Sequence, residues 1–330
     1  MKRYDYLILG SNSFSGSSFI NYLLNKNKSV LGISRSKEID KVFLSYTSNK
    51  NIKKYKFIKL DINKNSQLFL EILKKYKFKY VINFIAQGMV AESWLNPLHW
   101  YKTNVISQIN IIEMIRRHSK IKKYIHFSTP EVYGSTSNWK YETNIFLPST
   151  PYAISRSSTD LHLKAINKNF NFPCIITRAS NVYGKHQQLY RIIPRSIIFT
   201  LLNKKIIIDG NGNTTRSFIH IQDVCDALYL ILKKGEAGLT YHISTNHLIS
   251  IKELVKKIIS KLSFNPNKFI KFSKERIGKD KYYKLSSSKL RKLGWKDKVK
   301  LKDGIDETIE WVVKNKNLLK YKNLYYQHKK

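Results

Sequence analysis

The sequence predicts an α/β fold, a doubly wound parallel sheet with a smaller, mixed α/β lobe after it, and three observations carry that expectation. Short apolar runs bounded by turn residues recur at 6–9, 30–33, 56–60, 80–85, 124–127 and 174–177. Between them, segments 14–24, 67–76, 103–117 and 153–166 place apolar residues at helical spacing. The runs are apolar on both faces, as in parallel strands covered by helices on each side. Ligands of such sheets lie at the carboxyl ends of the strands. After residue 178 the rhythm loosens, with turn-rich stretches at 181–184 and 209–215 and helix-like ones at 223–232, 251–259 and 304–313. The expected division is a nucleotide-binding domain at 1–178 and a lobe at 179–330 that is partly interleaved with it. Residues 322–330, polar and basic, are expected to form a frayed tail outside the chemistry. The chain has no internal repeat or long linker.

At 330 residues and 42% hydrophobic content the chain can bury a sizeable core. Its formal charge of +38 invites a nucleic-acid reading. The lysines, however, are spread singly and in pairs such as Lys53–Lys54 and Lys256–Lys257, with no long basic block before the tail. Their abundance alongside isoleucine and asparagine also fits a coding bias. The expected reading is a solvated basic surface with no nucleic-acid partner, one that would still attract an anionic substrate. The two cysteines, Cys174 and Cys225, sit in apolar stretches as buried free thiols do, and no metal site is expected. No apolar run approaches the roughly twenty residues of a membrane span, and the opening strand is too short for a signal peptide. A cytoplasmic protein without membrane insertion is expected.

The run 6–9 leads into Gly10, Ser11, Asn12, Ser13, Phe14, Ser15 and Gly16 and then an amphipathic helix. A tight strand-to-helix turn needs glycine at its first position, and the helix start offers unpaired amides to a pyrophosphate. Gly10 and Gly16 fit, with Asn12, Ser13 and Phe14 between them; Ser13 stands where a middle glycine often lies. Arg35 follows the second strand, where a carboxylate would hold the ribose of NAD; a guanidinium suits the phosphate of NADP, so NADP is expected, with NAD the alternative. Asp61, past the third strand, is placed either to accept from the adenine amino group or to cap a helix. Ala86 and Gln87, after the fourth strand, would line the floor.

Thr129 and Glu131 lie two apart where a strand ends, a spacing that directs both side chains to one face. Pro130 between them lacks a donor and is acceptable there. Tyr152 and Arg156, four apart on a helix, are surface neighbours and can act together.

With these residues in place, the chain resembles an extended short-chain dehydrogenase/reductase of the nucleotide-sugar epimerase/dehydratase family, most like the GDP-mannose and dTDP-glucose types of 4,6-dehydratase. The resemblance runs from Tyr4 to about Trp311. It rests on 83–90 (NFIAQGMV), Thr103 and Asn104, 128–134 (STPEVYG), 178–184 (RASNVYG), 215–224 (TRSFIHIQDV), 276–280 (RIGKD) and 293–295 (LGW). It implies an NAD(P)-binding Rossmann domain in which Thr129 and Tyr152 bind the sugar 4-hydroxyl. Arg156 stands where the family has a lysine that lowers the phenol pKa and holds the nicotinamide ribose. Arginine keeps the positive field but is larger, effectively never deprotonates and presents a planar fork. A nearby cation is all that lowering a phenol requires. Glu131 would remove the C5 proton. Pro130 occupies the position of an aspartate in some of these enzymes and of a serine in the GDP-mannose type, so Glu131 or a water would protonate the leaving hydroxyl.

By the same resemblance Asn181, Arg216 and Arg276 would bind the diphosphate of a nucleotide sugar, whose nucleotide is dTDP, GDP, CDP or UDP. Lys185, Arg191 and Pro194 would shape base or sugar recognition, and Tyr133 and Tyr183 would pack. The expected activity is loss of water to give a 4-keto-6-deoxy sugar. A 4-epimerase, which needs no base at C5, a 4-keto reductase and a non-catalytic nucleotide- or RNA-binding protein are the alternatives. A homodimer through helices at 100–117 and 152–166 is also implied.

Overall fold

Seven parallel strands form the main sheet of the computed structural model, which describes residues 2–275 and 282–328. They are β1 (Lys2–Leu9), β2 (Val30–Ser34), β3 (Tyr55–Lys59), β4 (Tyr76–Asn83), β5 (Lys123–Ser128), β6 (Cys174–Ala179) and β7 (Thr240–Ile243). Across the sheet the order is β7, β6, β5, β4, β1, β2, β3. That order reverses between β1 and β4, which opens a crevice at their carboxyl ends.

Two helical layers cover the sheet because each strand alternates. Along β1, Tyr6 and Ile8 join a core with α1 (Phe14–Asn25), whose Phe19, Ile20 and Leu23 are fully buried. Leu7 and Leu9 point the other way, into a core with α2 (Ser66–Lys75), α3 (Ser107–His118) and α4 (Pro151–Phe170). The second half of the chain holds α5 (Ile192–Leu201), α6 (Ile221–Lys234), α7 (Ile251–Lys261) and α8 (Leu301–Lys314). Through α6 it returns to the sheet, where β7 pairs with β6. Its remaining helices build a separate core around Ile197, Leu254, Ile258 and Trp311.

Two expectations need correction. The fourth strand starts at Tyr76, directly after α2, because Tyr76 and Phe78 are buried while Lys77 is exposed, a two-residue alternation. It ends at Asn83, whose Oδ1 accepts the Ile85 amide (2.9 Å) and turns the chain toward the cleft. The tail is packed through residue 328: Leu324 is buried in the lobe core and Lys322 pairs with Asp40 at 2.6 Å. Apolar and aromatic side chains among the lysines provide the surface that holds it.

Candidate active site

A cleft of about 980 Å³ runs along the carboxyl ends of the strands and under the lobe. Its floor at one end is the turn between β1 and α1. Gly10 has φ +82°, and a Cβ there would lie 2.9 Å from the Phe84 carbonyl carbon; at Gly16 a Cβ would lie 2.3 Å from the Gly10 oxygen. Ser13 caps α1: its Oγ donates to the Gly10 carbonyl (2.7 Å) and accepts the Gly16 amide (3.0 Å). The hydroxyl thus ties the turn together where a glycine often stands. Asn12 anchors it to the loop after β2 through a bond to the Lys37 carbonyl (2.9 Å). Arg35, Asp61, Ala86 and Gln87 all line this end. Asp61 accepts the Asn63 amide (2.9 Å) within the turn ahead of α2, whose N-cap is Asn65, so it lines the cleft wall without capping a helix. Asn104 clamps the Gln87 backbone on both sides, accepting its amide (2.7 Å) and donating to its carbonyl (3.0 Å).

The Thr129 and Glu131 geometry differs from the strand-end expectation. β5 ends at Ser128, Thr129 is extended, and Pro130–Tyr133 is a single 3-10 turn. The fixed φ of Pro130 starts that turn, so the turn, not strand alternation, directs the two side chains. Both line the cleft. Opposite them, α4 begins with Thr150, whose hydroxyl accepts the Ala153 amide (3.2 Å), and Pro151 at its first position. This start holds Tyr152 at the cleft, within hydrogen-bonding contact of Thr129.

Burial raises the Tyr152 phenol above its ordinary value, and the Glu131 carboxylate pushes in the same direction; Arg156, the Thr129 hydrogen bond and Arg191 pull it down. The net direction is upward, opposite to the lowering expected from Arg156. Arg156 is buried, and its guanidinium is spread over the Phe127 carbonyl (2.6 Å), His126 Nε2 (3.1 Å) and the Ile85 carbonyl (3.4 Å). It bonds to the loop after β4 and to β5 rather than pointing only at the phenol. Burial, then Arg156 and Arg178, holds His126 well below the ordinary imidazole range, so it accepts from Arg156 as a neutral ring.

The residues fit a dinucleotide. The first-turn amides of α1 lack intrahelical partners, and Phe14 and Ser15 line the cleft there. Gly10 and Gly16 leave no room for a side chain. Arg156 Nε is a buried donor without a hydrogen-bond partner among the described residues.

Asn181 and Arg216 line the lobe side, Arg216 stacking on Tyr283 at 4.4 Å. Arg276 lies outside the described residues. Of the recognition candidates, Arg191 lines the cleft, whereas Lys185 is engaged with Glu307 (2.6 Å). Pro194 is buried within α5. Sequence reasoning missed Tyr190, Arg195, Tyr283 and the tail tyrosines Tyr325 and Tyr326, all of which line the cleft. Tyr133 is a packing residue, bonded to Arg178 (2.6 Å) and His242 (2.8 Å), and Tyr183 is buried against His220.

A family model described as GDP-mannose 4,6 dehydratase matches residues 7–308. The chain is 32% identical over 271 residues to the human dTDP-D-glucose 4,6-dehydratase, covering 80% of this chain and 77% of that protein. It is 30% identical to a trifunctional UDP-glucose 4,6-dehydratase, epimerase and reductase of Arabidopsis thaliana, with 82% of this chain aligned but only 42% of that longer protein spanned. Among solved structures, a dTDP-glucose 4,6-dehydratase of Streptomyces venezuelae with NAD bound superposes with a TM-score of 0.88 at 26% identity, over 96% of this chain and 98% of that one.

Proposed function

The chain belongs to the GDP-mannose 4,6-dehydratase family of extended short-chain dehydrogenase/reductases, and we propose that it is an NAD-dependent nucleotide-sugar 4,6-dehydratase. The observation that carries this reading is that a carboxylate, Glu131, lines the same cleft as Thr129 and Tyr152. Tyr152 and Thr129 supply what oxidation at C4 needs. Glu131 is the additional group that elimination needs and epimerisation does not.

Held by the turn at Gly10 to Gly16, NAD would supply the hydride acceptor for C4 and the hydride donor for C6. In this reading Thr129 orients the 4-hydroxyl and Tyr152 removes its proton. The ketone acidifies C5–H, Glu131 takes that proton, and the C6 hydroxyl leaves as water with a proton from Glu131 or a neighbouring water. A proton returned to C5 as hydride reaches C6 completes the 4-keto-6-deoxy product. Asn181, Arg191 and Arg216 are the proposed diphosphate and sugar contacts. NAD is preferred over NADP because the similar Streptomyces enzyme was solved with NAD; the expectation of NADP rested on Arg35 alone.

The test is incubation of the purified protein with a panel of nucleoside diphosphate hexoses and either NAD⁺ or NADP⁺, followed by mass spectrometry. Loss of one water from one panel member, faster with NAD⁺, is expected. A mass-neutral isomer in place of water loss would overturn the dehydratase reading in favour of an epimerase.

We further propose a homodimer through α3 and α4. Ile106 just before α3, Leu161 on α4 and Leu98 are exposed, at 66%, 50% and 78%, and an apolar face of this kind favours self-association. Ile106→Glu with Leu161→Glu should halve the molar mass measured by light scattering; an unchanged mass would place the interface elsewhere. No helix among the described residues is long and apolar enough to cross a membrane. The two buried free thiols suit the cytoplasmic location we propose.

A further inference from the structure

The segment after Leu319 crosses the mouth of the cleft from the lobe to the nucleotide-binding domain. On the lobe side, Leu324 is buried in the lobe core, Tyr325 meets Phe199 edge-on with ring centroids 5.7 Å apart, and Tyr326 meets Tyr190 the same way at 5.4 Å. On the other side, Gln87 Nε2 donates to the Tyr326 hydroxyl (3.2 Å), and the His328 ring lies 3.1 Å from the same nitrogen. His328 also stacks nearly parallel to both His99 and Trp100, with centroids 5.1 Å away in each case, and a ring nitrogen lies 2.8 Å from His99 Nδ1. Lys322, Asn323, Tyr325, Tyr326 and Gln327 form part of the cleft wall. Gln87, the point of attachment, belongs to the floor that would carry the dinucleotide.

We propose that residues 322–328 are a strap that closes over the dinucleotide and retains it through turnover. The proposal rests on the dinucleotide reading of the cleft given above. Its chemical reason is that the hydride removed from C4 must be returned within the same cycle, so the cofactor has no need to leave between turnovers. A strap tied at both lips opposes separation of lobe and domain, and dissociation waits for the tie to open. The ties are two aromatic edge contacts on the lobe and, opposite, a Gln87–His99–Trp100 cluster together with the Lys322–Asp40 ion pair (2.6 Å). They are local and made at the rim, so they can open without unfolding either core.

The test measures release of NAD from the preloaded full-length protein, followed by stopped-flow fluorescence with a chase of excess competing nucleotide. The double variant Tyr326→Ala, His328→Ala is expected to release NAD roughly tenfold faster or more, as loss of three hydrogen bonds, an edge-on ring and a stacked ring implies. His99→Ala, which cuts the same tie from the other lip, should accelerate release in the same direction and serves where the double variant folds poorly. Its steady-state activity at low enzyme concentration should become dependent on added NAD⁺. Release rates within twofold of the unaltered protein in both variants would overturn the strap and leave the dinucleotide reading standing. Failure of the unaltered protein to bind NAD would overturn both.

Discussion

Glu131→Gln is expected to reduce water loss from the nucleotide sugar by roughly a hundredfold to ten-thousandfold, the range for removal of a positioned general base, while NAD binding stays intact. Glutamine keeps the size and one acceptor of the side chain but cannot take the C5 proton. C4 oxidation depends on Tyr152 and Thr129, so a single turnover should still reduce bound NAD⁺ and leave a stalled 4-keto sugar. A second consequence follows from the charge. Glu131 raises the Tyr152 phenol, second only to burial, and its neutralisation lowers that pKa. The pH profile of nicotinamide reduction should therefore shift toward lower pH in the variant. Mass spectrometry of the sugar and absorbance of the reduced cofactor measure the two effects separately. Dehydration within tenfold of the unaltered enzyme would remove Glu131 from the mechanism.

The second large effect is on stability. Behind the cleft, Asp160 on α4 and Arg178 on β6 are both fully buried and paired at 2.7 Å. Ser128 Oγ donates to the same carboxylate oxygen at 2.7 Å, and Arg178 continues to the Tyr133 hydroxyl, which meets His242. Asp160→Ala leaves the Arg178 guanidinium in the interior with Tyr133 as its hydrogen-bond partner among the described residues and no carboxylate, and loss of about 3–5 kcal/mol is expected, the usual consequence of orphaning a buried charge. Ser128 directly precedes Thr129, so the variant should also lose activity at temperatures where it remains folded. Urea denaturation of the variant and the unaltered protein gives the free-energy difference. A loss below about 1 kcal/mol would mean that water or a rearranged partner satisfies Arg178.

Much of the frame was legible before any coordinates. The turn from β1 into α1 shows its chemistry in three residues, because glycine at 10 and 16 and a hydroxyl at 13 act on one another within a single turn of chain. The start of α4 is equally local, with Thr150 as cap and Pro151 behind it. The legible part weakens as the partners separate. The network of Ser128, Tyr133, Asp160, Arg178 and His242 joins residues up to 109 positions apart, and no pattern along the chain marks it. Arg195 and Tyr283 reached the cleft unannounced for the same reason.

What the sequence determined by itself is therefore what depends on near neighbours: alternation of strands, the tight glycine turn from β1 into α1, and the placement of Tyr152 and Arg156 four residues apart on one helix. Tertiary structure alone decided how those groups behave. Arg156 is four residues from Tyr152, yet its guanidinium bonds to the carbonyls of Ile85 and Phe127, and burial with Glu131 moves the phenol upward. The tail reads as solvated lysine, yet its aromatic side chains meet Tyr190, His99 and Trp100 across the cleft. Propensity and periodicity act through bonds and contacts a few residues long. Desolvation and charge–charge energies depend on distances through space, and those exist only once the chain has closed on itself.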